Sequence, residues 1–548
     1  MGAITITSLS NEVLHQIFSY FCLHCCNEFK VPNGVGTLYQ DEKRRPHNRA
    51  KQQRDEKSWY SLDRQVLFSL SLSCKSLHHI AQDVLYHEFV LGYGDSYLSE
   101  SYSPVRLASF MRTVTRRRDL AAKVRKLSIH PRFRDIVTKE EIRELLPGAA
   151  AALGIDLFVA WERRISEASE EERQDWSPTP MSMEDVRHLF RRTSYDNILR
   201  SFFTAEFDQL HEKWRDVREW KCIMGRLRAE FVAMLIALLP NIDYLSFRDD
   251  EPSWLRFSSF KALGIESLPK VKTIDMQQML GCFLKLATGL ETLNVCSFMP
   301  TKHDAICELP NVKALRVTDV RYGIKELKWI VSCCTGSLRS FVFEPKPGEL
   351  MPLVWEEDGE TSSQTAIHFT SEETVDVLKN HRETLKSFHL DFRRQATKWL
   401  HHHDASEFTL QDFTSLRTIF LSTGAIFNSH LHGSISDEGA ASRTENNSET
   451  ISQKMPPSLV SLHLAEDAIS DMEDVQNGLV GLAKAKQRHP GLFPHLKHVG
   501  LHSGGKLSEI VDEMMTAADI SFAYETWPCP YESSRKGLRC CRCCRIAQ

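Results

Sequence analysis

Leu290-Glu291-Thr292-Leu293-Asn294-Val295 and Val312-Lys313-Ala314-Leu315-Arg316-Val317 are two copies of one six-residue pattern, apolar at the first, fourth and sixth positions. The fourth and sixth residues are two apart, so in an extended chain both side chains fall on one face. The same pattern recurs at Val124/Leu127/Ile129, Ile242/Leu245/Phe247, Val271/Ile274/Met276, Leu338/Phe341/Phe343, Leu385/Phe388/Leu390, Leu416/Ile419/Leu421, Leu459/Leu462/Leu464 and Leu496/Val499/Leu501. Three apolar residues at fixed offsets arise often by chance, and proline placement separates these from coincidence. Pro240, Pro269, Pro310, Pro457 and Pro494 each stand two residues before a first apolar position, five cases in ten, in a chain with 21 prolines among 548 residues. Proline there ends the preceding helix and opens an extended segment.

Helical patterns precede several of these segments. Leu227, Phe231, Met234, Leu235 and Leu238 lead into the Ile242 segment. Ile324, Leu327, Ile330 and Val331 lead toward Leu338, with Gly336 placed to terminate the helix. Val375 and Leu378 lead toward Leu385, with Ser371 as the expected cap. Helix, turn and short strand in repetition resemble a leucine-rich-repeat solenoid. Val271, Leu290, Val312 and Leu338 follow at 19, 22 and 26 residues, close to that class. Later gaps of 47, 31, 43 and 37 imply insertions or a missed repeat. The asparagine ladder of the family is absent: Asp250, Met279, Phe298 and Val320 stand where it would be. The array therefore resembles the irregular repeats found behind fungal F-boxes.

The N-terminus carries a different signal. Ser10 precedes a helical pattern in which Val13, Leu14, Ile17, Phe18 and Phe21 share a face, with Glu12 in the first turn. Periodicity is lost over 22–60, where Lys43, Arg44, Arg45, Arg49, Lys51, Arg54 and Lys57 mark a basic, flexible insertion. It resumes over 61–89 with Val66, Leu67, Leu70, Leu72, Leu77, Ile80, Ala81 and Leu85, read as two helical pieces. The two blocks resemble the halves of an F-box. Leu9-Ser10-Asn11-Glu12-Val13-Leu14 opens it, and Leu67 to Cys74-Lys75 and onward closes it. Ser10 stands where the family has proline. An insertion between the halves is tolerable if it leaves from a loop, because closure cost grows only logarithmically with length.

The expected fold class is therefore α/β: an N-terminal helical F-box, then an irregular solenoid of short parallel strands alternating with helices. The expected divisions are 1–90 for the helical module with its insertion at 22–60, 91–530 for the repeats, and 531–548 for a Cys/Arg-rich tail. Within the repeats, 130–226 breaks the pattern and reads as a helical insertion, with Ser182 and Asp185 as a capping box and with Trp214 and Trp220 at near-helical spacing. Residues 428–455, rich in Ser, Gly, Asn and Glu, read as a disordered loop.

Composition removes several function classes. Hydrophobic residues are 42% and charged residues 26%, enough to bury a sizeable core. Lys and Arg number 68 against 72 Asp and Glu, so nothing draws the whole chain to nucleic acid. The apolar run Phe231–Leu239 is too short for a membrane span, and Met1-Gly2-Ala3-Ile4-Thr5-Ile6 lacks the basic start of a secretory signal. A soluble protein of the cytoplasm, the nucleus or both is expected, with Lys43-Arg44-Arg45 a candidate localisation signal and otherwise a solvated linker. Cys282, Cys296, Cys333 and Cys334 sit among apolar neighbours and read as small buried hydrophobes.

Catalytic signatures are missing: no phosphate loop, no Gly-x-Ser-x-Gly elbow and no His-Glu-x-x-His helix. His401-His402-His403-Asp404 reads as an exposed polar loop, because adjacent side chains point apart. Cys22-x-x-Cys25 and the tail cysteines Cys540, Cys541, Cys543 and Cys544 could complete a thiolate site only if opposite ends of the chain met, so no metal or cofactor is expected. The tail reads as a reduced, frayed end, with palmitoylation as the alternative.

Together the resemblances imply a non-enzymatic substrate-recognition adaptor of a Skp–cullin–F-box ubiquitin ligase. The F-box would dock a Skp-type linker, and through it a cullin, while the repeats hold a target protein. The F-box positions carried over are Leu9, Ser10, Glu12, Val13, Leu14, Ile17, Phe18, Leu67, Leu70, Leu72, Cys74 and Lys75. The alternatives are a repeat scaffold with no ligase role and an enzyme built on the 130–226 insertion. A deep polar pocket with convergent titratable groups would favour the latter.

Overall fold

The computed structural model describes residues 6–22, 24–26, 59–90, 105–129, 137–166, 199–214, 218–247, 255, 257–277, 282–296, 308–318, 324–344, 370–392, 408–427, 448–466, 472–503 and 505–525. These residues form two compact units, one running through Leu290 and the other beginning at Glu291. The first holds the N-terminal helices and strands β1 (Glu88–Val90), β2 (Lys126–Ile129), β3 (Tyr244–Phe247) and β4 (Thr273–Gln277). The second holds β5 (Thr292–Cys296), β6 (Ala314–Thr318), β7 (Ser340–Glu344), β8 (Ser387–Leu390), β9 (Thr418–Ser422), β10 (Ser461–Ala465), β11 (His498–His502) and β12 (Ser521–Tyr524). Helices alternate with these strands, so the class is α/β with parallel sheets.

All ten apolar triplets lie at strands, and the strands pair in the register that the triplets predict. In the first unit Leu127 lies opposite Leu245, and Leu245 opposite Ile274. In the second, Leu293, Leu315, Phe341, Phe388, Ile419, Leu462 and Val499 form one continuous row. Every member of both rows is 0–1% exposed. Strand side chains repeat every two residues, so a slip of one would turn each row to the opposite face. All five prolines fall in turns just before a strand, and Pro240, Pro269, Pro457 and Pro494 follow a described helix. Two further strands outside the ten triplets, β1 and β12, extend the two series at their ends.

Strand entry is held by a shared acceptor. The carbonyl of Glu291 accepts from the amides of Lys313 and Ala314 at 2.8 and 3.1 Å, and that of Arg339 from Lys386 and Ser387 at 2.7 and 3.0 Å. The first unit starts the same way, with the His87 carbonyl accepting from Arg125 and Lys126 at 2.8 and 3.2 Å. The connections that lead into strands are short, as from Leu238 to Tyr244, Cys333 to Ser340 and Ala517 to Ser521.

Several boundaries differ from the sequence reading. Within 130–226 lie the helices Lys139–Ala152, Leu157–Ser166 and Ala205–Trp214 and the start of Arg218–Leu238, which runs past 226 toward β3. Ser182 and Asp185 lie outside the described residues, as do the side chains of Trp214 and Trp220. The expected loop over 428–455 ends early. Residues 428–447 lie outside the described set, but 448–454 are helical, and Ile451 and Met455 are 0% and 1% exposed. Those two apolar residues, four apart, give the helix a face to bury, which the polar average of the segment conceals. The cap of the helix Ser371–Leu378 is Thr370, not Ser371: its hydroxyl accepts from the Glu373 amide, and the Glu373 carboxylate accepts from the Thr370 amide.

Gly336 does not terminate its helix, which ends at Cys333. Its role is close approach: a Cβ there would overlap the Pro310 carbonyl of the preceding segment, just as one at Gly289 would overlap the Pro269 carbonyl. Gly336→Ala should therefore lower stability by roughly 1–3 kcal/mol through overpacking. Gly491→Ala, where a Cβ meets nothing within 4 Å, should leave the melting temperature almost unchanged. Equal melting temperatures for the two variants would refute this packing.

Candidate functional site

The N-terminal module consists of α1 (Asn11–Ser19), α2 (Trp59–Ser73) and α3 (Lys75–Leu85), and it belongs to the same unit as β1–β4. Ser10 caps α1, its hydroxyl accepting from the Val13 amide at 3.4 Å. The Ser10 hydroxyl and the backbone hold the Glu12 carboxyl below its ordinary value. Serine at this position thus has a structural use that proline lacks. Leu14, Phe18, Cys22, Leu67, Leu77, Ala81 and Val84 form the module core.

The structure divides the carried-over positions into three groups. Leu14, Phe18 and Leu67 are 0–1% exposed and hold the module together. Leu9, Ile17, Leu70 and Cys74 pack against that core while partly exposed. Ser10, Glu12, Val13, Leu72 and Lys75 face solvent, with Val13 at 40% and Leu72 at 69%. Beside them lie large apolar residues that the sequence reading did not single out as contacts: Tyr20, Leu62, Val66 and Phe68, the last 54% exposed. Leu62 and Val66 form one i,i+4 pair on α2, and Phe68 and Leu72 another, with exposed Gln65 and Ser69 between the pairs. The low amphipathicity of WYSLDRQVLFSLSLS, apolar on both sides, was the available signal.

Two polar clusters stand out. At the end of α1 the chain turns back, with the Cys26 amide bonded to the Cys22 carbonyl at 3.0 Å. This turn brings Cys22, His24 and Cys25 to His87, which lies between α3 and β1, with one ligand atom from each within 4.8 Å of all the others. Cys25 Sγ is 3.2 Å from His87 Nδ1 and 3.6 Å from His24 Nδ1. A hydrogen bond from the Cys22 thiol holds the Cys25 thiol far below its ordinary value, and His24 and His87 add to this against the opposing effect of burial. Donating that bond and being buried push the Cys22 thiol up. The His24 amide donates to Glu88 Oε2 at 2.9 Å, and buried Glu88 meets Arg64 of α2 at 3.6 Å. Arg64 also donates to the Leu85 carbonyl.

The second cluster joins His463 of β10 and His498 of β11 to Glu525, each ring nitrogen 2.8 Å from a carboxylate oxygen. Gly500 leaves the space that the Glu525 carboxylate fills. Burial pushes the Glu525 carboxyl up, but the hydrogen bonds to the two rings outweigh it and hold the group below its ordinary value. A third polar group, Arg164, Glu230 and Ser259, is buried among the helices of the first unit with contacts of 2.9–3.2 Å. It is compact and internally bonded, and Arg164 and Glu230 are 2% and 8% exposed at their side chains.

Most middle residues of the strands are buried. Ser128, Ser246, Asp275, Asn294, Arg316, Val342, His389 and Phe420 are all at most 8% exposed. The residues just before the strands stay open: Lys313, Arg339, Lys386, Arg417 and Lys497 are exposed, and Lys313 pairs with Glu291 at 3.0 Å. His401-His402-His403-Asp404, the basic run 43–57 and the tail cysteines lie outside the described residues, as do the side chains of Cys282 and Cys296, whereas Cys333 and Cys334 are buried at 1%. Among the described residues no single helix is long and apolar enough to cross a membrane. No family model matches the chain, and no curated protein matches it.

Proposed function

We propose that the chain is a substrate-recognition adaptor of a Skp–cullin–F-box ubiquitin ligase, with α1–α3 as the F-box and the strand series as an irregular leucine-rich-repeat solenoid that holds a target protein. The observation that carries this reading is the concentration of exposed large apolar residues on one small helical module: Ile6, Val13, Tyr20, Leu62, Val66, Phe68 and Leu72 are 39–71% exposed. Apolar surface gathered in this way marks a protein-docking site. It supports a Skp-type linker bound across the outer side of α2 and the exposed positions of α1. The adaptor's contribution to catalysis is positional, raising the effective concentration of a target beside the charged enzyme. Target contact falls to the exposed strand-entry row from Lys313 to Lys497, since the middle strand residues are buried.

The test is co-purification of a Skp-type protein with the full chain. Phe68→Ala combined with Leu72→Ala should weaken the complex by at least about 100-fold, since central apolar anchors carry most interface energy. Both side chains are largely exposed, so melting temperature should hold. Replacing Leu9 and Ile17 is a poorer test, because both pack on the module core. Undiminished capture by the double variant would reject the assignment. Cullin recruitment along with the Skp-type protein separates a ligase adaptor from a scaffold without a ligase role.

A further inference from the structure

We propose that Cys22, His24, Cys25 and His87 bind one structural zinc ion that fastens the end of α1 to the start of β1. The four groups are two thiols and two imidazoles, the donor set that gives closed tetrahedral zinc sites, and among first-row ions a tetrahedral S2N2 set selects zinc. A tetrahedral centre with Zn–S near 2.3 Å and Zn–N near 2.05 Å separates sulfur from nitrogen by about 3.6 Å. The structure places Cys25 Sγ at 3.2 Å and 3.6 Å from the two Nδ1 atoms.

The cluster is also built from its surroundings. Cys22 is 1% exposed and sits in the module core, so one ligand is fixed by packing. The His87 backbone is fixed at both ends, its amide donating to Val84 at 3.2 Å and its carbonyl accepting two amides from the next strand segment. The His24 backbone is fixed by buried Glu88. The rings of His24 and His87 meet edge to face at 5.1 Å, which brings their Nδ1 atoms toward Cys25. Cys26 is the internal control. Its thiol points away, donating to the Ser19 carbonyl at 3.4 Å.

The ligands bind as two thiolates and two neutral imidazoles, any remaining thiol proton leaving to solvent, and the two thiolates balance the dication, so the loaded site is neutral. It would join residues that are 62 apart in the chain, Cys25 and His87, across the segment that contains the 27–58 stretch. The module would then be fixed to β1 whatever the length of that stretch.

The full chain, expressed in zinc-supplemented medium and stripped of loosely held metal, should carry about one zinc per chain by elemental analysis. Cobalt exchange should give the d–d bands of a tetrahedral centre and a thiolate charge-transfer band. Cys25→Ser and His87→Ala should each lose at least about nine-tenths of the metal, while Cys26→Ser keeps it. If Cys25→Ser fails to fold, His87→Cys supplies the answer: it should retain cobalt with a stronger thiolate band. Absence of both zinc and cobalt from the folded wild-type chain would overturn the proposal. Equal metal loss in Cys26→Ser and Cys25→Ser would do the same. Neither result depends on whether a Skp-type protein binds.

Discussion

Truncating Leu315 to alanine should destabilise the second unit by roughly 2–5 kcal/mol, and Leu293→Ala should do the same, through lost transfer energy plus the cavity left behind. The two side chains lie opposite each other on adjacent strands and are 1% and 0% exposed. Each packs within a continuous apolar row, so neighbouring segments can collapse into the gap only by breaking register. Glu291 and Lys313, two residues earlier, should behave differently. Their ion pair is 40–46% exposed, and such pairs contribute between nothing and about 1 kcal/mol. Thermal unfolding of the four single variants reads the contrast. Small and equal effects at all four would mean that the row is not buried as described.

Glu230→Ala should cost the first unit about 3–5 kcal/mol, because it leaves the Arg164 guanidinium buried without its carboxylate. The cause is desolvation more than lost attraction. An ion taken out of water needs an opposite charge and hydrogen bonds to repay that loss, and Glu230 supplies both to Arg164 and also accepts from Ser259. A paired replacement, Arg164→Met with Glu230→Leu, removes both charges at similar volume and should recover most of the loss. Denaturant unfolding of the single and double variants tests this. A double variant no more stable than Glu230→Ala would show that the two residues do not act as a pair.

The strand series was legible because its signal is local and strict. Each strand needs two apolar residues on one face and a third where the helix hands over, and five of those handovers carry proline. Register followed from the same positions. β1 and β12 were harder to read for separable reasons. β1 follows α3 so closely that Tyr86 and Phe89 read as the last turns of helix. In β12 the first position of the triplet is Asp519, held at φ 53° in the left-handed region, so no apolar residue marks it. The long gaps after Leu338 were legible as insertions or a missed repeat. Direct pairing of β7 with β8, β8 with β9, β9 with β10 and β10 with β11 leaves insertions.

The candidate sites were less legible, because they depend on exposure and on distant partners. Helical spacing identified Leu14, Phe18 and Val13 alike as apolar positions, but only packing separates the buried pair from the exposed valine. The Cys22-x-x-Cys25 spacing was visible, yet its partners were sought among cysteines. His87 lies far along the chain at a helix–strand junction, where nothing in the local sequence marks a ligand. The middle residues of the strands include Ser, Asp, Asn and Arg, and their burial follows from tertiary packing that no two-residue period encodes.

Among the described residues the longest helix-to-strand connection runs from Ala262 to Thr273, whereas longer stretches of chain follow strands, as over 297–307 after β5, 345–369 after β7, 393–407 after β8 and 428–447 after β9. The largest differences in length therefore lie past strand ends. At the other end the shared carbonyl acceptors fix where each strand begins, and a residue added there would rotate an apolar row out of the core. Added residues past a strand terminus change no pairing and cost only the slow logarithm of loop closure. Such a chain can acquire new segments on that side by small evolutionary steps, without first having to be stabilised. The same asymmetry gives protein engineers a rule for this molecule: graft after a strand, never before one.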